Sequence, residues 1–103
     1  METIKGIYID NCSHGYLQVS KKDFERVMDT TTAKKITGFS GVSGERVYLE
    51  EDLDAGTFMN VAKGKGFEIE VSNSYQENFR CPKNYSPRKF KFETVLAGVE
   101  RLF

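Results

Sequence analysis

Val47-Tyr48-Leu49-Glu50-Glu51-Asp52-Leu53-Asp54 changes hydrophobic period within one short stretch. Val47 and Leu49 fall on one face of a strand, and Tyr48 and Glu50 on the other. Helical spacing then takes over. Asp52 suits an N-cap, and Leu53, Phe58, Val61 and Ala62 share an inward stripe. Gly64 or Gly66 ends this helix, since glycine accepts the left-handed conformation found after helix C-termini. A strand that passes almost directly into a helix points to helices packed on a sheet.

The flanking segments extend that pattern. Ile4–Asp10 and Tyr16–Val19 alternate around the turn cluster Asn11-Cys12-Ser13-His14-Gly15, which predicts a hairpin. Ser20 can cap a short helix from Lys21 to about Asp29, with Asp23 reaching back in a variant capping box and Val19 stapled to Phe24. Phe24, Val27 and Met28 form its apolar stripe, and the β-branched Thr30-Thr31-Thr32 discourages its continuation. Ile36–Phe39 and Arg46–Glu50 predict a second hairpin around Ser40–Glu45. Phe67, Ile69 and Val71 alternate with Glu68 and Glu70, as in a strand with one wet face. Residues 72–89 are polar and predict a long loop. Beyond them, Val95, Leu96, Val99, Leu102 and Phe103 fit a helical stripe interrupted by Gly98, with a final strand as the competing reading.

The expected fold is α+β. It is a single domain over residues 1–103, with a mostly antiparallel sheet of four or five strands and two or three short helices. Its expected core is Ile7, Ile9, Leu17, Val19, Phe24, Val27, Val47, Leu49, Phe58, Val61, Phe67, Ile69 and Val71. With 103 residues, a second independent core would not fit. Acidic and basic residues balance at 15 each, so net charge gives no long-range pull toward nucleic acid or a membrane. The two cysteines read as free thiols, with no signal-peptide pattern at Met1–Asp10 and no apolar run long enough to span a bilayer. The expected setting is a cytoplasm.

Three constellations carry candidate chemistry. The first is the acidic helix start, where Tyr48, Glu50, Glu51 and Asp54 form a candidate protein-binding face. Carboxylates there also complement the helix dipole, which is the simpler account. The spacing lacks the alternation and central glycine of a calcium loop, so no metal is expected. The second is Cys12-Ser13-His14, which would need an orienting group and an oxyanion site to act as a thiol–imidazole pair. Neither appears as a motif, and turn chemistry explains the segment, so no catalytic residue is expected. Cys81 would bring the zinc-type ligands to three, one short of a closed structural site. The third is Arg80, Lys83, Arg88, Lys89 and Lys91, interleaved with Phe79, Tyr85, Phe90 and Phe92. Basic groups can hold phosphates and aromatic rings can stack on unpaired bases, which makes this the nucleic-acid candidate. A solvated loop followed by a lysine-guarded edge strand is the plainer reading. The glycines form no phosphate-cradling fingerprint, and no cofactor is expected.

Taken together, His14-Gly15-Tyr16-Leu17-x-Val19, Ile36-x-Gly38-Phe39-Ser40 and Val47-Tyr48-Leu49-Glu50-Glu51-Asp52-x-Asp54 with Phe58 resemble small accessory proteins of phages and other mobile elements. The resemblance spans His14 to Val61. Gly56 departs from it, standing where a bulkier helix former is expected. It carries over no catalytic residue. It implies a non-enzymatic protein that binds a host macromolecule, a defence system included, and inhibits or redirects it. A host protein is the expected partner. A nucleic-acid-binding module using residues 79–92 is the alternative.

Overall fold

Alternation brings Thr3–Asp10 (β1) and Gly15–Ser20 (β2) together as an antiparallel hairpin, with Tyr8 opposite Leu17 and Ile9 opposite Tyr16. The computed structural model describes residues 2–92. Asn11 builds the turn of this hairpin: its Oδ1 accepts from the N–H groups of Ser13 and His14. Ser20 caps the helix Lys21–Val27 (α1), accepting from the Asp23 N–H at 3.0 Å. Asp23 pairs with Arg26 in place of the expected return to the cap. A separate helical turn, Thr30–Ala33 (α2), follows, closed by a capping box between Asp29 and Thr32.

Gly41–Ser43 (β3) and Arg46–Glu50 (β4) then form a tight hairpin. Gly44 at its tip has φ +58°, a conformation that glycine adopts without steric cost. β4 lies antiparallel to β2, pairing Leu49 with Leu17 and Val47 with Val19. The helix Asp54–Gly64 (α3) crosses over to Glu68–Tyr75 (β5), which runs parallel to β1 with Ile69 opposite Ile4. The strand order is β3-β4-β2-β1-β5. β4 and β5 point the same way, so a crossover is obligatory, and α3 supplies it. The fold is therefore α+β: one domain with a five-stranded, mostly antiparallel sheet and three helices among the described residues.

The sheet buries side chains on both faces. On the helix face, Ile4, Leu17, Val19, Val47 and Leu49 pack with Phe24, Val27, Met28, Ala55, Phe58 and Ala62. Phe24 stacks on Phe58 at 5.8 Å between ring centroids and touches Phe90 at 4.6 Å. On the opposite face, Ile9, Tyr16 and Tyr48 are covered by Phe79 and Cys81.

Several expectations are corrected. Ile36–Phe39 is a turn, because Asp54 takes the Thr37 N–H that a strand ladder would need. The helix starts at Asp54, its cap position is Leu53, and Asp52 caps nothing. Leu53 points to solvent. The predicted loop 72–89 begins with strand: β5 continues to Tyr75, and Pro87–Lys89 forms a 3-10 turn. Ile7, Val61, Phe67 and Ile69 are only half-buried, and Val71 is 43 % exposed. Val71 belongs to an edge strand, and the small Ala55 and Gly56 of α3 leave an open groove of about 510 Å³ beside it. The stripe from Val95 to Phe103 lies outside the described residues.

Two predictions follow from the packing and the caps. Phe58→Ala is expected to lower unfolding stability by about 3–5 kcal/mol, since a fully buried ring stacked on another is removed. Denaturant titration checks this. The Thr32 amide, and secondarily its hydroxyl, hold the Asp29 carboxyl below its ordinary pKa of 3.8. A depressed folded pKa contributes stability that is complete above the unfolded value and lost as pH falls through the folded one. Asp29→Ala should therefore cost about 0.5–2 kcal/mol at neutral pH. Thermal melts across a pH series should show its gap to wild type narrowing below the ordinary aspartate range.

Candidate interaction surface

Asp54 opens α3 but serves the chain elsewhere. Its side chain is fully buried. Both carboxylate oxygens accept from the Thr37 N–H at 3.1 Å, and Oδ2 also accepts from the hydroxyls of Thr37 and Ser40 at 2.6 Å each. The Ser40 hydroxyl in turn accepts from the Glu50 N–H at 3.0 Å. The loop 37–40, the end of β4 and the start of α3 are thus tied at one point. Hydrogen bonds to a carboxylate are among the stronger ones in proteins, and a buried network of this kind is rigid when every donor is used. No buried side-chain nitrogen or oxygen among the described residues lacks a partner.

This knot holds two large apolar side chains out in water. Phe39 is 62 % exposed and Leu53 57 %. Phe39 N–H donates to the Thr37 hydroxyl, and Leu53 N–H donates to Glu50 Oε1 at 3.1 Å, so both backbones are fixed locally. Glu51 and Asp52, which directly precede Leu53 in the chain, are exposed as well. Phe39, Glu50 and Asp52 line a shallow groove of about 260 Å³ with His14, Tyr16 and Lys83. The Lys83 ammonium sits 5.8 Å from the Phe39 ring centroid, within cation–π range. Tyr8 hydroxyl donates to Glu51, and that bond is the main reason its pKa is pushed up to about 12.

The acidic face is therefore not the one predicted. Tyr48 is 7 % exposed, packed 4.9 Å from the Phe79 ring, because the segment after β5 covers the sheet face expected to be wet. Asp54 is inside, as described. Glu50 is half-buried, and Glu51 alone of the four is exposed. Phe39 and Leu53 were missed. Gly38 and Ser40 around Phe39 were the available sign that it sits in a turn. Leu53 kept helical spacing with Phe58 and so read as core.

The basic segment divides in two. Arg88, Lys89 and Lys91 line a cleft of about 360 Å³ with Lys21, but Glu25 and Glu45 line it too, and Glu25 accepts from the Lys91 N–H. Lys83 is at the Phe39 groove, and Arg80 belongs to neither site. The interleaved aromatics are packing groups. Phe79 rests on Tyr16 and Tyr48, Phe90 and Phe92 rest on Phe24, and the Tyr85 hydroxyl donates to the Ala33 carbonyl at 2.7 Å. Burial, and secondarily Asp54, raise the Tyr85 pKa.

Cys12 and His14 are both exposed, in a turn held by Asp10 and Asn11. Cys12 has φ +79°. Cys81 lies apart, against the second sheet face, and burial pushes its thiol up to about 11. Among the described residues, no three His, Cys, Asp or Glu side chains converge as a metal site requires. No helix there is long and apolar enough to cross a membrane. Comparison with known proteins returns no matching family model, no matching curated protein and no matching solved structure.

Asp54→Ala is expected to destabilise the fold by about 2–4 kcal/mol, because the donors of Thr37 and Ser40 lose their acceptor in a buried setting. Hydrogen exchange checks the local part: the Thr37 amide should lose protection before the amides of β2 do.

Proposed function

We propose that this chain is a non-enzymatic binding protein whose recognition surface is built on Phe39 and Leu53, together with the exposed Glu51 and Asp52 that precede Leu53. The observation that carries the reading is the pairing of exposure with rigidity. Two large apolar side chains stand in water on backbone pinned by a buried carboxylate. Exposed aromatic and aliphatic anchors on preorganised backbone are what interface hot spots are made of, since little conformational freedom is lost on binding. The carboxylates beside them favour a partner with a basic rim and speed encounter with it. The resemblance to accessory proteins of phages and mobile elements supplies the class of partner: a host protein in the bacterial cytoplasm, a defence component included, that is inhibited or redirected by occupation of its surface. The nucleic-acid reading has less support, because the rings it needs for stacking are committed to packing.

The test uses a host protein captured on the immobilised chain, then purified and titrated. Phe39→Ala is expected to weaken binding by about 2 kcal/mol, roughly thirty-fold in Kd. Glu51→Lys with Asp52→Lys should slow association and reduce its dependence on salt. Replacing Arg88, Lys89 and Lys91 with alanine should leave affinity unchanged. Full affinity in Phe39→Ala and Leu53→Ala, with loss on removing the basic residues, would discard this surface in favour of the basic cleft.

A further inference from the structure

The two edges of the sheet are treated differently. At β3, the Asn84 side chain closes the edge: its Oδ1 accepts from the Val42 N–H at 2.7 Å and its Nδ2 donates to the Val42 carbonyl at 3.1 Å. Gly41 is needed for this approach, since a Cβ there would sit 1.4 Å from the Pro82 carbonyl oxygen. At β5, the longer edge, nothing among the described residues plays that part. Glu68 N–H donates to the Glu2 carbonyl and Gln76 N–H to the Asp10 carbonyl, at 2.9 Å each. Backbone direction alternates along a strand, so the even-numbered residues of β5 face β1. Ile69, Val71, Asn73 and Tyr75 turn their N–H and C=O groups outward. An edge of this length, unpaired among the described residues, is a template for another strand. Side chains of the same odd residues lie on the α3 face, where Val71 is 43 % and Tyr75 62 % exposed.

We propose that the β5 edge pairs with the β5 edge of a second copy, antiparallel about a two-fold axis. The strand is self-complementary in this arrangement. An axis at Val71 or Ser72 joins outward residues to outward residues, so the free backbone groups meet. It sets Glu68 and Glu70 opposite serines or Gln76 of the other copy, never opposite a glutamate. An axis at Glu70 would oppose two carboxylates, and the charges select against it. The favoured registers place Val71 against its own copy, or Ile69 against Tyr75. Either one covers the outer wall of the groove that Val71 shares with Tyr8, Leu17, Ala55 and Met59. Because Asn84 closes the other edge, pairing stops at two copies and does not propagate into a fibre. The seam uses neither Phe39 nor Leu53, so the pair would present two recognition surfaces and gain from bivalent attachment.

Sedimentation of the full chain over a concentration series, with hydrogen exchange, tests this. Wild type is expected to be dimeric at high concentration, with the amides of Ile69, Val71, Asn73 and Tyr75 losing protection on dilution. Asn73→Pro removes an outward N–H and leaves the β1 ladder intact. Val71→Lys leaves the backbone untouched and places like charges along the seam. Each should raise the dimer Kd roughly tenfold or more, with the monomer fold unchanged by circular dichroism. If the proline variant does not fold, the lysine variant decides. Three outcomes overturn the proposal. One is a wild-type monomer whose odd-numbered amides exchange freely. Another is a monomer whose odd-numbered amides are protected at every dilution, which would mean that the edge is covered within one copy. The third is a dimer indifferent to both substitutions.

Discussion

The buried carboxylate of Asp54 is the point on which the arrangement of loops depends. One side chain joins α3 to Thr37 and Ser40, and through the Ser40 hydroxyl to the end of β4. Tyr85 N–H donates to the Ser40 carbonyl, which ties the C-terminal segment to the same place. Removing a charged acceptor from such a site costs more than any one of its bonds, because several donors are left dry together. The knot therefore explains why residues 37–40 are a turn, why Phe39 is held outward, and why α3 begins one residue later than a cap at Asp52 would have it.

The second organising fact is that both faces of the sheet are covered over part of their area. Helices cover one face, and the segment containing Phe79 and Cys81 covers part of the other. Tyr16 and Tyr48 are consequently core residues. Burial raises the Tyr16 pKa, as it does for the Cys81 thiol that sits in the same cluster. Aromatic residues that look available for stacking in the sequence are consumed by this cover and by the Phe24 cluster. The positive charges of the same segment stay on the surface, and the exposed ring beside Lys83 is that of Phe39, outside the segment.

Apolar exposure among the described residues is then concentrated at Phe39 and Leu53 and along the β5 edge. Each combines apolar side chains with backbone that is already ordered, and each lies next to a groove with a carboxylate at its margin. Natural sheets usually blunt their edges, and Asn84 does so at β3. The contrast between the two edges is therefore a property of the fold and not of strand composition, since β5 carries glutamates that read as ordinary surface.

What the sequence determined by itself is the local structure. Ser20 as a cap, the Asn11 turn, the β1–β2 hairpin, the Phe24 and Phe58 stripes and the end of α3 near Gly66 rest on neighbours within a few residues, where periodicity and capping chemistry operate. Tertiary structure decided the rest. Period two tells which residues of β4 share a face, but not that the second face would be roofed from residue 79 onward, so Tyr48 looked wet. Tyr75 and its neighbours became strand through parallel pairing with β1, a partner more than sixty residues away. A carboxylate in the first turn of a helix is normally solvated, and nothing local distinguishes Asp54 from Asp52. The difference arises because the 37–40 loop closes over one and not the other, bringing donors that only the folded chain places there.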